Sequence, residues 1–152
     1  MILHAPNGYI CPFCLIASGG EDAYTQKQDI VFEDGSTMAF IASRWWVNNP
    51  GSVLVIPKQH FENIYEIPPE LLAEVHKTGQ KIALAMKESY GCDGVSTRQH
   101  NEPAGGQDVW HFHVQVLPRY TNDKLYQNND NNRFVSAEER LPFAETLRDK
   151  LA

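Results

Sequence analysis

The feature that most constrains this chain is the segment 110–119, in which apolar and polar side chains alternate. A period of two predicts a half-buried β-strand. Because side chains on a strand alternate between its faces, we expect His111, His113 and Gln115 to point the same way, about 6–7 Å apart. Two imidazoles and an amide in one row favour a polar site over a solvated face that carries incidental histidines.

The rest of the chain predicts further strands, a long helix and a helical C-terminus in one domain, 1–152. Four segments have the short apolar or β-branched composition of strands: 30–33, 38–42, 52–56 and 94–99. Pro68 and Pro69 begin a helix with one apolar face, which Gly91 ends. A polar loop is predicted at about 120–135. The helical segment 136–152 follows it, with a capping-box pattern at 136–139 and a short helix from 142 to 151.

Composition and charge limit the classes of partner. The 152 residues are 42% hydrophobic and 21% charged, which is typical of a single globular domain. A net charge of -6 and a pI near 5.4 give no basic footprint for nucleic acid, although backbone amides could still hold a small anion. We find no apolar run of membrane-spanning length and no signal-peptide layout, and therefore expect a cytoplasmic protein without a membrane or nucleic-acid partner.

Cys11 and Cys14 form a Cys-Pro-Phe-Cys motif, a spacing that indicates metal or redox chemistry in a reducing compartment. A thioredoxin-like site would need a long helix after the motif, but the residues at 17–22 predict a loop. Zinc is therefore favoured, and the two thiolates would be half of a tetrahedral site.

Two other stretches predict ligand contacts. The pair Trp45 and Trp46, next to Arg44, could form the floor of a base-stacking pocket, or it could pack in the core beneath a loop. The Gly-Gly loop at 100–108 enters the central strand and could turn backbone N–H groups toward phosphate oxygens.

Four motifs in this order resemble the histidine-triad (HIT) superfamily: the Cys-x-x-Cys pair, the Pro-Gly-Ser-Val-Leu-Val-Ile-Pro-Lys-Gln-His segment, the Gly-Gly-Gln loop and His-x-His-x-Gln. The resemblance implies an α+β, HIT-like fold, in which a long helix and a short C-terminal helix accompany an antiparallel sheet of about five strands. It also implies a homodimer, and chemistry at the α-phosphate of a nucleotide or nucleotide conjugate.

The resemblance assigns roles to individual residues. As in zinc-containing relatives, Cys11, Cys14, His60 and His111 would hold a structural Zn²⁺. His113 would be the nucleophile, since a neutral imidazole attacks phosphorus without prior activation. The predicted substrate-binding residues are His100, Asn101, Gly106, Gln107, Trp45 and Arg44. At Asp108 relatives carry Ser or Thr, and a carboxylate there would repel phosphate unless it faces away.

Gln115, the second predicted catalytic residue, stands where hydrolytic members carry a third His. An amide orients a phosphate oxygen but cannot act as a general acid. His-x-His-x-Gln is similar to the galactose-1-phosphate uridylyltransferase branch, whose members are much longer. The sequence thus favours a nucleotidyl transferase or phosphorylase. The alternatives are a hydrolase of dinucleoside polyphosphates or nucleoside phosphoramidates, and a weakly active nucleotide-binding regulator.

Overall fold

The computed structural model of the chain describes residues 3–152, which form an α+β domain. The helices are α1 (Pro12–Ala17), α2 (Pro69–Ser89) and α3 (Ala137–Leu151), and short 3-10 helices cover Lys27–Asp29 and Pro103–Gly105. The strands are β1 (Ile30–Glu33), β2 (Thr37–Ile41), β3 (Arg44–Trp46), β4 (Val53–Pro57), β5 (Gly94–Arg98), β6 (Val114–Arg119) and β7 (Asn132–Phe134). No helix within the described range is long and apolar enough to cross a membrane.

Five strands form an antiparallel sheet in the order β1-β2-β4-β6-β5. Helix α2 covers one face, where buried residues of three strands pack against it: Ala39, Ile41, Val53, Val55, Val114 and Val116. On the opposite face, α1 contributes Phe13 and Ile16 to a second buried cluster. The period of two places His113 and Gln115 on this second face, since Val114 and Val116 take the α2 face. The predicted HIT-like fold is confirmed.

Segment 120–135, predicted to be a polar loop, differs from the expectation. Its last residues form β7, which pairs antiparallel with β3 in a separate two-stranded sheet. The tryptophan pair therefore lies on a strand and not in a connection. The polar composition of 127–132 hides this pairing, because β7 is an exposed strand whose partner is distant in sequence.

Helix α3 begins five residues before the predicted start. Ser136 caps it, since its hydroxyl oxygen accepts a hydrogen bond from the Glu139 N–H while the Glu139 carboxylate accepts one from the Ser136 N–H. Pro142 lies inside the helix without ending it. A proline removes its own N–H and crowds the carbonyl four residues earlier, but the capping box and the buried ion pair of Arg140 hold the first turns in place.

A buried ion pair attaches α3 to the sheet. The Arg140 guanidinium donates two hydrogen bonds of 2.9 Å to Asp29, in the 3-10 helix before β1, and both residues are fully buried. Arg140 also donates to the backbone carbonyl of Val135 at 2.7 Å, directly after β7. One side chain thus connects α3, the start of β1 and the end of β7.

Candidate active site and metal centre

Cys11, Cys14, His60 and His111 come together as the sequence predicts, with all four ligand atoms within 4.8 Å of one another. The Sγ atom of Cys11 lies 3.3 Å from Nδ1 of His111, and that of Cys14 lies 3.2 Å from Nδ1 of His60. Metal–sulfur bonds of about 2.3 Å and metal–nitrogen bonds of about 2.0–2.1 Å require such spacings at the corners of a tetrahedron. The four residues therefore form a cluster that fits a tetrahedral metal ion.

The groups around this cluster favour the binding of a cation. His111 is buried, and its Nε2 donates to the carbonyl of Pro57 at 2.9 Å, which leaves Nδ1 as the unprotonated ligand atom. Burial lowers the pKa of His111 to about 4, so its ring is neutral at neutral pH. Burial, followed by the neighbouring Cys11, raises the pKa of Cys14 to about 12. A thiol in that position gives up its proton only if a positive ion compensates the thiolate.

His113 lies just before β6 in a fixed orientation. Its Nδ1 is 2.7 Å from the carbonyl oxygen of His111, and since a carbonyl only accepts, Nδ1 carries the proton and Nε2 is left with its lone pair. The ring packs edge-on against Phe13 at a centroid distance of 5.3 Å. Burial is the main reason that the pKa of His113 lies below its ordinary value. A neutral, oriented imidazole results, as a nucleophile requires.

A cavity of about 280 Å³ opens beside His113 and Gln115. Trp46 on β3, Phe134 on β7 and Tyr24 line its aromatic side. The rings of Tyr24 and Phe134 pack together at a centroid distance of 4.8 Å. β7 thus supplies one cavity wall, and the sequence did not predict Phe134 as a site residue, because nothing local indicates that its strand pairs with β3.

Arg44 and Trp45, both predicted to bind substrate, lie in different places. The Arg44 guanidinium lines the cavity, stacks on Phe134 at 4.6 Å and lies 3.6 Å from Asp108. Asp108 lines the cavity as well, so it does not face away from the site, and the Arg44 guanidinium offsets part of its negative charge. The structure does not bring Trp45 to the cavity: it is buried against Phe143, because its neighbour Trp46 takes the opposite face of the strand.

The predicted phosphate-loop residues mainly stabilise the loop itself. Gln107 is buried, and its amide donates to Glu62 and Val109 and accepts from the Glu102 amide. The side chain of Asn101 bonds to Gln99 and to the Ile64 amide. Neither residue lines the cavity.

His100 and Gly106 contact each other in the same loop. Nδ1 of His100 lies 3.2 Å from the Gly106 carbonyl oxygen. Gly106 has a φ of +84°, and a Cβ there would lie 3.4 Å from the His100 ring. Glycine suits both the backbone conformation and this close approach. His100 does not line the cavity, and it is only a minor cause, after burial, of the lowered pKa of His113.

Fold and site together define a class of protein: an α+β domain with an oriented histidine beside a cavity and a Cys₂His₂ cluster behind it. The family model of the HIT domain matches residues 24–122 of the chain. Protein hit of Bacillus subtilis is 36% identical over 110 residues, which cover 72% of this chain and 71% of that protein. The chain therefore belongs to the HIT-domain family.

Two further relatives bear on the site. A Zn-bound histidine triad family protein from Mycobacterium smegmatis superposes with a TM-score of 0.76 at 32% identity, over 93% of this chain and 92% of that one. An adenylylsulfatase of Arabidopsis thaliana is 27% identical over 126 residues, which cover 81% of this chain and 59% of that protein.

Proposed function

We propose that this protein is a nucleotidyl transferase or phosphorylase in which His113 attacks the α-phosphate of a nucleotide or nucleotide conjugate. The observation that carries the proposal is the orientation of His113 at the cavity, with Nδ1–H donated to the His111 carbonyl and the Nε2 lone pair available. The similarity to an adenylylsulfatase of Arabidopsis thaliana supports chemistry on a nucleotide conjugate.

The reaction divides into two displacements. In the first, Nε2 of His113 forms a bond to phosphorus while the bond to the leaving group breaks, and the leaving group departs with the electron pair. The His111 carbonyl stabilises the cationic ring through the Nδ1–H bond. In the second, an acceptor oxygen attacks phosphorus, the N–P bond breaks, and His113 is regenerated as a neutral imidazole.

Gln115 determines which leaving groups and acceptors suit this site. Its amide can donate a hydrogen bond to a phosphoryl oxygen, but it cannot protonate a leaving group or activate water as a titrating base. Leaving groups that need no proton, such as phosphates, are therefore favoured. An acceptor that is already anionic, such as phosphate or a sugar phosphate, needs no base.

The metal cluster would hold a structural Zn²⁺ through Cys11, Cys14, His60 and His111. With all four positions taken by protein ligands, the ion would fix the α1 motif to the end of β4 and to the segment before β6. The Zn-bound relative from Mycobacterium smegmatis supports this assignment. In the reaction, these residues would hold the backbone of His111 in place, and its carbonyl would in turn hold the tautomer of His113.

Intact-protein mass spectrometry tests the proposal. The protein is mixed briefly with nucleotide sugars, dinucleoside polyphosphates or a nucleoside phosphoramidate. We expect a nucleotide-sized mass gain that phosphate or a sugar phosphate discharges and water does not. His113→Ala removes the gain, whereas His76→Ala, the same change at an exposed position of α2, keeps it. Rapid discharge by water would favour the hydrolase, and no adduct with any donor would favour the binding regulator.

Gln115→His separates transfer from hydrolysis more directly. A third histidine restores a titrating group, so we expect the share of adduct discharged by water to rise relative to the share discharged by phosphate. An unchanged ratio would contradict the role given to Gln115.

The protein is also proposed to be a homodimer. β5 is an edge strand of the five-stranded sheet, so one side of its backbone has no strand partner within the described chain. Light scattering coupled to size-exclusion chromatography should give twice the chain mass, and a monomer mass would contradict the proposal. The cytoplasmic location stays a prediction.

A further inference from the structure

The Arg98 side chain contacts the side chain of Gln115 on the adjacent strand. Arg98 on β5 is the direct register partner of Gln115 on β6, and Leu54 on β4 is the partner on the other side. Nε of Arg98 donates to Oε1 of Gln115 at 2.6 Å. An arginine side chain has donors and no acceptor, so the atom that it meets must be the amide oxygen. The contact thus determines which way the Gln115 amide is turned.

The guanidinium of Arg98 is held in place by an aromatic ring and not by an ion pair. Its central carbon lies 4.4 Å from the ring centroid of Trp46, the residue that forms one cavity wall. Within residues 3–152, no carboxylate lies at ion-pair distance from Arg98. Partial burial lowers the pKa of Arg98 below its usual value. A half-buried cation without a carboxylate partner is costly to keep, which favours a role at the neighbouring site.

We infer that Arg98 is a positioning residue that turns Gln115 so that only its N–H₂ group is available to the reacting phosphate. This inference rests on the proposed function of His113. The oxygen of Gln115 is engaged by Arg98, while Gln115 lines the cavity beside His113 and its Nε2 makes no hydrogen bond to the described residues. Two N–H donors facing the cavity suit a phosphoryl oxygen, which accepts and never donates when ionised.

The fixed orientation has a consequence for the second displacement. A free amide could rotate by 180° and present its oxygen to the cavity, where it would repel phosphoryl oxygens and accept a hydrogen bond from water. With Arg98 in place this second orientation is disfavoured, because it would set the N–H₂ group against a guanidinium. Arg98 therefore favours transfer to an anionic acceptor such as phosphate, and it disfavours hydrolysis of the nucleotidyl-His113 adduct.

A double-mutant cycle tests whether Arg98 acts through Gln115. Arg98→Met removes the donor and keeps an unbranched side chain. We expect it to slow adduct formation by about 10- to 100-fold, as is typical when a hydrogen bond to a charged group is lost, and to raise the share of water discharge. In the Gln115→Ala background the same change should have no further effect. Equal effects in both backgrounds would overturn the inference.

Two further variants exclude general damage. Arg98→Lys keeps a donor and a charge, so it should recover part of the rate and of the preference for phosphate over water. Lys77→Met removes an exposed cation from α2, where Lys77 pairs with Glu74 away from the cavity, and should leave both quantities unchanged. If Arg98→Lys behaved like Arg98→Met while Lys77→Met behaved like the wild-type protein, the hydrogen-bond donor would not be the operative feature and the inference would fail.

A measurement without turnover separates this inference from the proposed function. In NMR spectra of the wild-type protein, the Arg98 Nε–H proton should exchange slowly with water because it is bonded to Gln115. Gln115→Ala should accelerate that exchange at least tenfold. If the wild-type protein formed no adduct but the exchange behaved as described, the proposed function would fail and the orientation of Gln115 would stand. Fast exchange in the wild-type protein would refute the orientation itself.

Discussion

Replacing Arg140 by Met tests the ion pair that joins α3 to the rest of the domain. Arg140 and Asp29 are both fully buried, and two hydrogen bonds of 2.9 Å connect them. Met fills similar volume without charge, so the variant leaves the Asp29 carboxylate in the interior with only the Gln26 amide as donor. A buried charge that loses its partner is strongly destabilising.

The expected loss is about 3–5 kcal/mol in the free energy of unfolding. For a domain of this length, such a loss lowers the midpoint of thermal unfolding by roughly 6–20 °C. The effect should extend to the cavity, because Arg140 also bonds the Val135 carbonyl next to Phe134. We therefore expect weaker nucleotide binding in Arg140→Met even at temperatures where the protein stays folded.

The free energy of unfolding is measured in urea and by heating for four proteins: the wild type, Arg140→Met, Asp29→Asn and the double variant. Removing both charges should cost less than the sum of the single losses, by about 1–3 kcal/mol. Lys150→Met breaks an exposed pair with Glu88 and serves as the control, with an expected change below about 1 kcal/mol. Single losses no larger than that of the control, or strictly additive losses, would refute the reasoning.

Three further outcomes are expected. His60→Ala should lower the zinc content of purified protein from about one per chain, measured by atomic emission, and a metal-free wild type that is fully folded would contradict the site. Phe134→Ala should weaken nucleotide binding about tenfold in calorimetry, since one aromatic contact to a base contributes about 1–3 kcal/mol, and unchanged affinity would remove Phe134 from the binding wall. Hydrogen bonds from Arg119 hold the pKa of Asp123 well below its usual range. The Asp123 carboxylate therefore stabilises the folded protein at pH values above its unfolded pKa of about 4, and this stabilisation is lost as the pH falls below about 4. Asp123→Asn should flatten the decline of stability between about pH 4 and pH 2 in urea titrations, and a decline as steep as in the wild type would argue against the pair.

Local chemistry decided the features that the sequence predicted correctly. The alternation in 110–119 placed His113 and Gln115 on one face, although regular strand begins only at Val114. The proline start and apolar face of α2 predicted that helix almost to the residue. The cluster of Cys11, Cys14, His60 and His111 followed from motifs that the family shares. For the strand and the helix the signal lies within a few residues of the feature, whereas the cluster joins residues that are up to 100 positions apart and was predicted from the family resemblance.

Tertiary structure alone decided the contacts that join distant parts of the chain. The sequence by itself predicted strands, the long helix and the common face of His113 and Gln115, because periodicity is a local property, whereas the set of Cys11, Cys14, His60 and His111 came from the resemblance to a family. Three features depend on contacts between residues that are 17 to about 90 positions apart in the sequence. They are the cavity wall formed by Phe134, the burial of Trp45 and the orientation of the Gln115 amide by Arg98. Strand register sets these pairings, and register is fixed by the packing of the whole sheet, which no single segment specifies.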